Sequence, residues 1–143
     1  CITLGSVSTL NDELQAFEAP PPPDLFGDPI WRLPSYRIAQ FLGRVVERDI
    51  ALLIRARCSS HTINQLERSV GSIGANITEG YSRSSGRERA RFYEIALGSA
   101  REARDWYRRA AHRLPDGAAM ERAYLLVRII KILRVAIPRE RNG

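Results

Sequence analysis

The chain holds two histidines, His61 and His112, and two cysteines, Cys1 and Cys58, the side chains best suited to nucleophile, base or zinc chemistry. Cys58 and His61 stand three residues apart, a spacing that could set a thiolate beside a base. No third group to orient the imidazole and no helix start to hold an oxyanion accompanies them. Cys1 and Cys58 have neither the number nor the spacing of a zinc site or a disulfide framework, so both read as free thiols. His61 falls in a connection and His112 near a helix end, where a solvated imidazole is the ordinary outcome, and no metal site is expected. Glu102 and Asp105 form a carboxylate pair, but Arg101, Arg104, Arg108 and Arg109 crowd them, so ion pairs on a helix surface are the simpler account. Neither a G-x-x-x-x-G-K-[ST] loop nor a G-x-G-x-x-G fingerprint occurs. The expectation is a protein that is not an enzyme and that needs neither cofactor nor metal.

What the chain offers instead is arginine. The formal net charge is +6, and of the 22 basic residues only Lys131 is a lysine. Guanidinium groups suit bidentate contacts to phosphate, and a basic body attracts polyanions, nucleic acid first among them. Arg83, Arg87, Arg89 and Arg91 cluster at the expected start of a helix, where the helix dipole adds to the attraction for phosphate. Arg101, Arg104 and Arg108 recur at three and four residues and can form one ridge. These seven are the candidate nucleic-acid-binding residues, with Tyr81 placed to stack an exposed base. The competing reading is that the arginines only solvate a helical surface.

The elements that would position these groups follow from periodicity and punctuation. Residues 1–33 hold Asp12, Glu13, Glu18, Asp24 and Asp28 against Arg32 alone, together with the run Pro20-Pro21-Pro22-Pro23. This stretch is expected to be an irregular, extended acidic arm whose apolar Leu25, Phe26, Ile30 and Trp31 dock on a surface. A first long helix opens at Pro34 and carries Ile38, Leu42, Val45, Val46, Leu52 and Leu53, with Arg37, Arg44 and Arg48 between them, fading near Arg57. Thr62 and Gln65 have the form of a capping box ahead of Ile63, Leu66, Val70, Ile73 and Ile77, and Gly80 is placed to end that second helix in a left-handed conformation. Ser85 and Glu88 form another box, opening a third helix of about seven turns with Phe92, Ala96, Ser99, Ala103, Trp106 and Ala110 on one stripe. Asp116 is placed to cap a fourth helix, roughly 117–136, which Pro138 is expected to stop. This last helix is apolar nearly all round, so it needs a second burial partner, and a subunit interface is the natural one.

The run Ser72-Ile73-Gly74-Ala75-Asn76-Ile77-Thr78-Glu79-Gly80-Tyr81-Ser82-Arg83, followed by Phe92, Ala96-Leu97-Gly98-Ser99 and Glu102, resembles the signature of a bacterial four-helix-bundle family. That family is known through proteins encoded in ribosomal RNA intervening sequences and is related to the accessory variability proteins of diversity-generating retroelements. The pattern covers about thirty residues tightly, and residues 34–137 more loosely through helix order and length. Gly74 replaces a proline often found in the pattern, and the acidic arm is not part of the usual family body. The resemblance implies a homopentamer. For the retroelement branch it also implies a basic scaffold that contacts RNA and a reverse transcriptase. Physically, Ser72, Ala75, Asn76, Ile77, Glu79, Gly80, Gly98, Ser99 and Glu102 read mainly as architecture: Asn76 and Glu79 can bind freed amides or pair with Arg83, while Gly74, Ala75, Gly98 and Ser99 let the second and third helices cross closely.

Together these features predict an all-α protein, an antiparallel up-down four-helix bundle over residues 34–143 behind an irregular arm over residues 1–33. The apolar runs are broken by Arg or Gly short of the roughly 18 to 20 residues that span a bilayer, so a soluble, cytoplasmic protein without a membrane partner is expected. Its partners are expected to be copies of itself and RNA, or, in a different class of function, another protein docked on an oligomer whose arginines merely solvate it.

Overall fold

The computed structural model describes residues 9–143. They fold into five α-helices: α1 (Leu10–Glu18), α2 (Pro34–Arg55), α3 (Ser60–Tyr81), α4 (Gly86–Ala110) and α5 (Ala118–Asn142). Short 3₁₀ turns stand at Pro23–Leu25, Pro29–Arg32 and Ala111–Arg113, and no strand occurs among the described residues. Among the described residues no helix is long and apolar enough to cross a membrane.

The arm departs from its expected extended form at α1. Thr9 and Asp12 make a reciprocal capping box, the Asp12 amide donating to Thr9 Oγ1 at 3.1 Å and the Thr9 amide to Asp12 Oδ2 at 3.0 Å. Leu10 and Leu14 are then buried, and Phe17 packs half-buried beside them. The prolines act only from residue 20 onward, after this helix has ended. Of the four apolar residues expected to dock, Ile30 and Trp31 are buried and Leu25 half-buried, while Phe26 stands 89% exposed. The part of the arm before residue 9 lies outside the described residues.

Four long helices make the core. α4 packs most extensively, against α3 on one side and α5 on the other, and α2 closes on both α3 and α5. The buried stripes on α2 and α3 are those that helical periodicity picks out, Ile38, Leu42, Val45 and Leu53 on α2 and Leu66, Val70, Ile73 and Ile77 on α3. On α5 Leu126, Ile129 and Leu133 are buried. On α4 Ala96, Ser99, Ala103 and Ala110 are buried as expected, but Tyr93 and Tyr107 take the enclosed aromatic places while Phe92 and Trp106 stay half-buried. Each fully enclosed Leu or Ile contributes about 2 kcal/mol of transfer free energy. The alanines of α4 let its neighbours approach from both sides.

The helix ends differ from expectation in five places. α3 is capped by Ser59, whose hydroxyl accepts from the Thr62 amide at 3.2 Å, so the helix begins one turn before the Thr62–Gln65 box. Gln65 instead accepts from Arg68. Gly80 is not a left-handed terminus but a buried residue inside α3, where a Cβ would stand 2.8 Å from Tyr93 Cε1 and 2.9 Å from Phe92 Cβ. α5 starts behind Gly117, which supplies φ 82° with no side-chain cap, so Asp116 does not perform that role. Pro138 lies within α5 rather than stopping it. The lost i−4 hydrogen bond sits near the end of the helix. Arg89 to Glu140 at 2.6 Å and Arg141 to Glu94 hold the last turn against α4. At the start of α4, Ser85 accepts from the Glu88 amide as expected, but the Glu88 carboxylate faces the Ser85 hydroxyl rather than its amide.

Candidate nucleic-acid interface

The seven candidate arginines separate into three groups. Arg87, Arg91, Arg101 and Arg108 are exposed and follow one another at i, i+4, i+14 and i+21 along α4. At 100° per residue those positions share one outward face, about 31 Å long. Glu94, Gly98 and Asp105 lie between them and are also exposed. Glu94 is engaged by Arg141 and Asp105 by Arg108 at 3.4 Å, so the acids on this face are already partnered. Arg87, Arg91 and Arg101 have no ion pair among the described residues.

Arg83 and Arg89 are held by the fold. Arg83 pairs with Glu79, and its guanidinium lies 4.9 Å over the Phe92 ring. Arg89 is half-buried, donating to the carbonyls of Arg83 at 3.0 Å and Ser84 at 2.9 Å and to Glu140. It ties the α3–α4 connection to the end of α5, a structural task that leaves little of it for a ligand. Tyr81 is also half-buried and lines a surface cavity with Tyr93 and Arg89 instead of standing clear.

Arg104 and Arg108 line a cleft of about 620 Å³ between the end of α4 and the start of α5. Ala111, Ala119, Ala123 and Val127 add apolar lining, and the Pro115–Gly117 turn contributes as well. Met120 and Tyr124 also line it and stand 59% and 66% exposed. Arg104 Nε is enclosed and has no hydrogen-bond partner among the described residues. Two cations, an apolar lining and an exposed aromatic ring combine the contacts that a phosphate and a flat base need.

The motif residues gather along the α3–α4 seam. Asn76 donates to the Ser72 carbonyl at 2.8 Å and to its hydroxyl at 3.0 Å, and Ser99 donates to Ser72 Oγ at 2.9 Å, a polar chain that latches the two helices. Ile77 is fully buried, and Glu102 joins α4 to Arg68 of α3 at 2.5 Å while accepting from Trp106 Nε1. The close crossing expected of Gly74, Ala75, Gly98 and Ser99 is made differently. Gly74 faces Ala39 and Gln40 of α2, Ala75 is exposed, and a Cβ on Gly98 would meet nothing within 4 Å. Gly80 is the residue that lets α3 and α4 touch.

A buried cluster escaped sequence reading. Asp49 of α2 is fully enclosed, accepting from Tyr107 of α4 at 2.6 Å and from Arg122 of α5 at 3.0 Å and 2.9 Å. Burial, reinforced by the neighbouring Asp49 charge, pushes the Tyr107 phenol well above its ordinary value. Burial opposes the charge of Arg122, but its hydrogen bonds to Asp49 prevail and the guanidinium sits above its ordinary value. The signal was present: Asp49 continues the apolar register of Leu42, Val45 and Val46, and a carboxylate at a core position requires a partner. Elsewhere, Cys58 is a half-buried free thiol and His61 meets the Trp106 ring edge-on at 5.7 Å. No cluster of three or more potential metal ligands occurs among the described residues.

Residues 47–115 match the family described as 23S rRNA-intervening sequence protein, a span running from within α2 to the α4–α5 turn. Among solved structures, the chain is similar to a protein of unknown function from the S23 ribosomal protein family of Bacteroides thetaiotaomicron. The identity is 21% and the TM-score 0.67, over 72% of this chain and 97% of that one. The two share a fold. No curated protein matches the chain. The family match over residues 47–115 supports a relation to the rRNA intervening-sequence type of protein.

Proposed function

We propose that this chain is a non-catalytic oligomeric scaffold that binds structured RNA, built on an antiparallel up-and-down four-helix bundle formed by α2 to α5. The observation that carries the reading is the outward face of α4. Arg87, Arg91, Arg101 and Arg108 recur on it, while of its two acids Glu94 is engaged by Arg141 and Asp105 by Arg108 of the ridge itself. Phosphates along a strand meet the ridge, and an unstacked base enters the neighbouring cleft against Tyr124. The family matched by residues 47–115 takes its name from a ribosomal RNA element, which favours RNA over DNA. In this reading copies of the chain assemble, with a homopentamer favoured, so that each weak ridge is repeated and acts with the others. An accessory role beside the reverse transcriptase of a diversity-generating retroelement extends the same reading, with Arg87, Arg91, Arg101, Arg104 and Arg108 as its contact residues and Arg83 and Arg89 holding the α3–α4 connection.

The test is the mass of the purified protein by light scattering, with and without a structured RNA, across a salt series. An oligomer that gains RNA mass at low salt and sheds it at high salt supports the scaffold. Absence of RNA retention at low ionic strength rejects it. One observation favours a second reading, a protein-interaction oligomer with no nucleic-acid role: Met120, Tyr124 and Val135 leave an exposed apolar stripe on α5. Oligomer mass that is indifferent to RNA is its signature.

A further inference from the structure

We infer that α2 carries a second phosphate-binding ridge, Arg37, Arg44 and Arg48, which α1 covers as an acidic stand-in for RNA. Positions 37, 41, 44 and 48 are spaced i, i+4, i+7 and i+11 and share one face of α2. Every cation on that face is engaged by α1. Glu18 accepts from Arg37 Nε at 2.6 Å, Glu13 from Arg48 Nη1 at 2.8 Å, and the Arg44 guanidinium lies 4.8 Å over the Phe17 ring. Phe17 in turn packs on Phe41 and Trp31, with ring centroids 5.6 and 5.7 Å apart. Carboxylates on the arginines and a ring between them reproduce the contacts that phosphates and an unstacked base would make.

The cover is also built to come away. α1 has nine residues, too few for an isolated helix to persist in water, and it packs chiefly on α2. Its seam with α2 is flanked by surface cavities of about 440 and 360 Å³. Prolines 20 to 23 follow it, so no helix runs on from α1 into the body. When α1 leaves, Arg44 and Arg48 face solvent together with the core surface that Leu10 and Leu14 cover, and Arg37 keeps its hydrogen bond to the Trp31 carbonyl at 2.7 Å.

This inference rests on the RNA-binding reading above, and the experiment separates the two. Full-length protein is titrated with a short RNA hairpin at low salt as the unaltered chain and as Glu13→Gln/Glu18→Gln. The neutralised variant is expected to bind roughly tenfold more tightly and with a steeper salt dependence. Adding Arg37→Gln/Arg48→Gln is expected to abolish the gain, whereas the same charge correction placed at Lys131→Gln/Arg134→Gln is expected to retain most of it. Hydrogen exchange on the unaltered chain is expected to show the α1 amides losing protection when the hairpin is added. Equal affinity of the unaltered and neutralised chains, equal effects of the two arginine corrections, or α1 amides that keep their protection with RNA bound would each overturn the covering role and leave the α4 ridge standing. If neither chain binds the hairpin at all, both proposals fall.

Discussion

A carboxylate enclosed as fully as that of Asp49 is tolerable only while its partners remain. Arg122→Met removes the compensating charge and is expected to cost about 3–5 kcal/mol, read as a lower denaturation midpoint at unchanged slope. Tyr107→Phe removes one hydrogen bond from the same carboxylate and is expected to cost about 1–3 kcal/mol. The raised phenol also fixes a pH dependence. The folded chain keeps Tyr107 protonated where the unfolded chain has already ionised, so its stabilising effect is complete below about pH 10 and is lost as pH climbs toward the folded value. Tyr93, raised by burial and by Glu140, and Tyr36, raised by burial and by Asp28, act in the same direction. Thermal midpoints measured on the alkaline side should fall with pH, and more gently in Tyr107→Phe. At this scale sequence reading found the arginines but not their allegiances. Whether Arg89 serves the fold or a ligand depends on Glu140, fifty-one residues away.

The helices test the glycines differently. Gly80→Ala drives a methyl into Tyr93 and Phe92 and is expected to destabilise by about 1–3 kcal/mol. Gly71→Ala and Gly98→Ala meet open space within their helices and are expected to stabilise by up to about 1 kcal/mol each. Chemical denaturation of the three variants decides the matter, and an equal response at all three positions would contradict the assigned packing. The stripes of α2, α3 and α4 were legible because 3.6-residue periodicity is set by burial itself. Their boundaries were less so. Ser59, Ser60 and Thr62 all offer capping oxygens, and only the packing of the previous turn selects Ser59. Pro138 misled for a related reason: proline chemistry is local, whereas the pairs that carry α5 past it come from α4. In the arm, four consecutive prolines drew attention from the Thr9–Asp12 box and the Leu10, Leu14 and Phe17 stripe just before them.

For the molecule as a whole, the sharpest consequence of the α4 face is a salt slope. Replacing Arg87, Arg91 or Arg101 singly by Gln is expected to weaken RNA binding and to lower the slope of log affinity against log salt by about one each. Arg83→Gln, already paired with Glu79, should change the slope less, and titrations at several ionic strengths compare them directly. Tyr124→Ala should weaken binding to a hairpin with a bulged base more than to a fully paired one. Such surface roles were only partly readable in advance, because which side of a helix faces water depends on all its neighbours. The interior raises a different question, about descent. Asp49, Tyr107 and Arg122 lie on three different helices, and loss of either Asp49 or Arg122 alone strands a buried charge. An all-apolar replacement of the set could be as stable as the present one. A stepwise route to it passes through a chain with one buried charge unpaired, so the charged pair is locally locked in: each partner makes the other costly to replace.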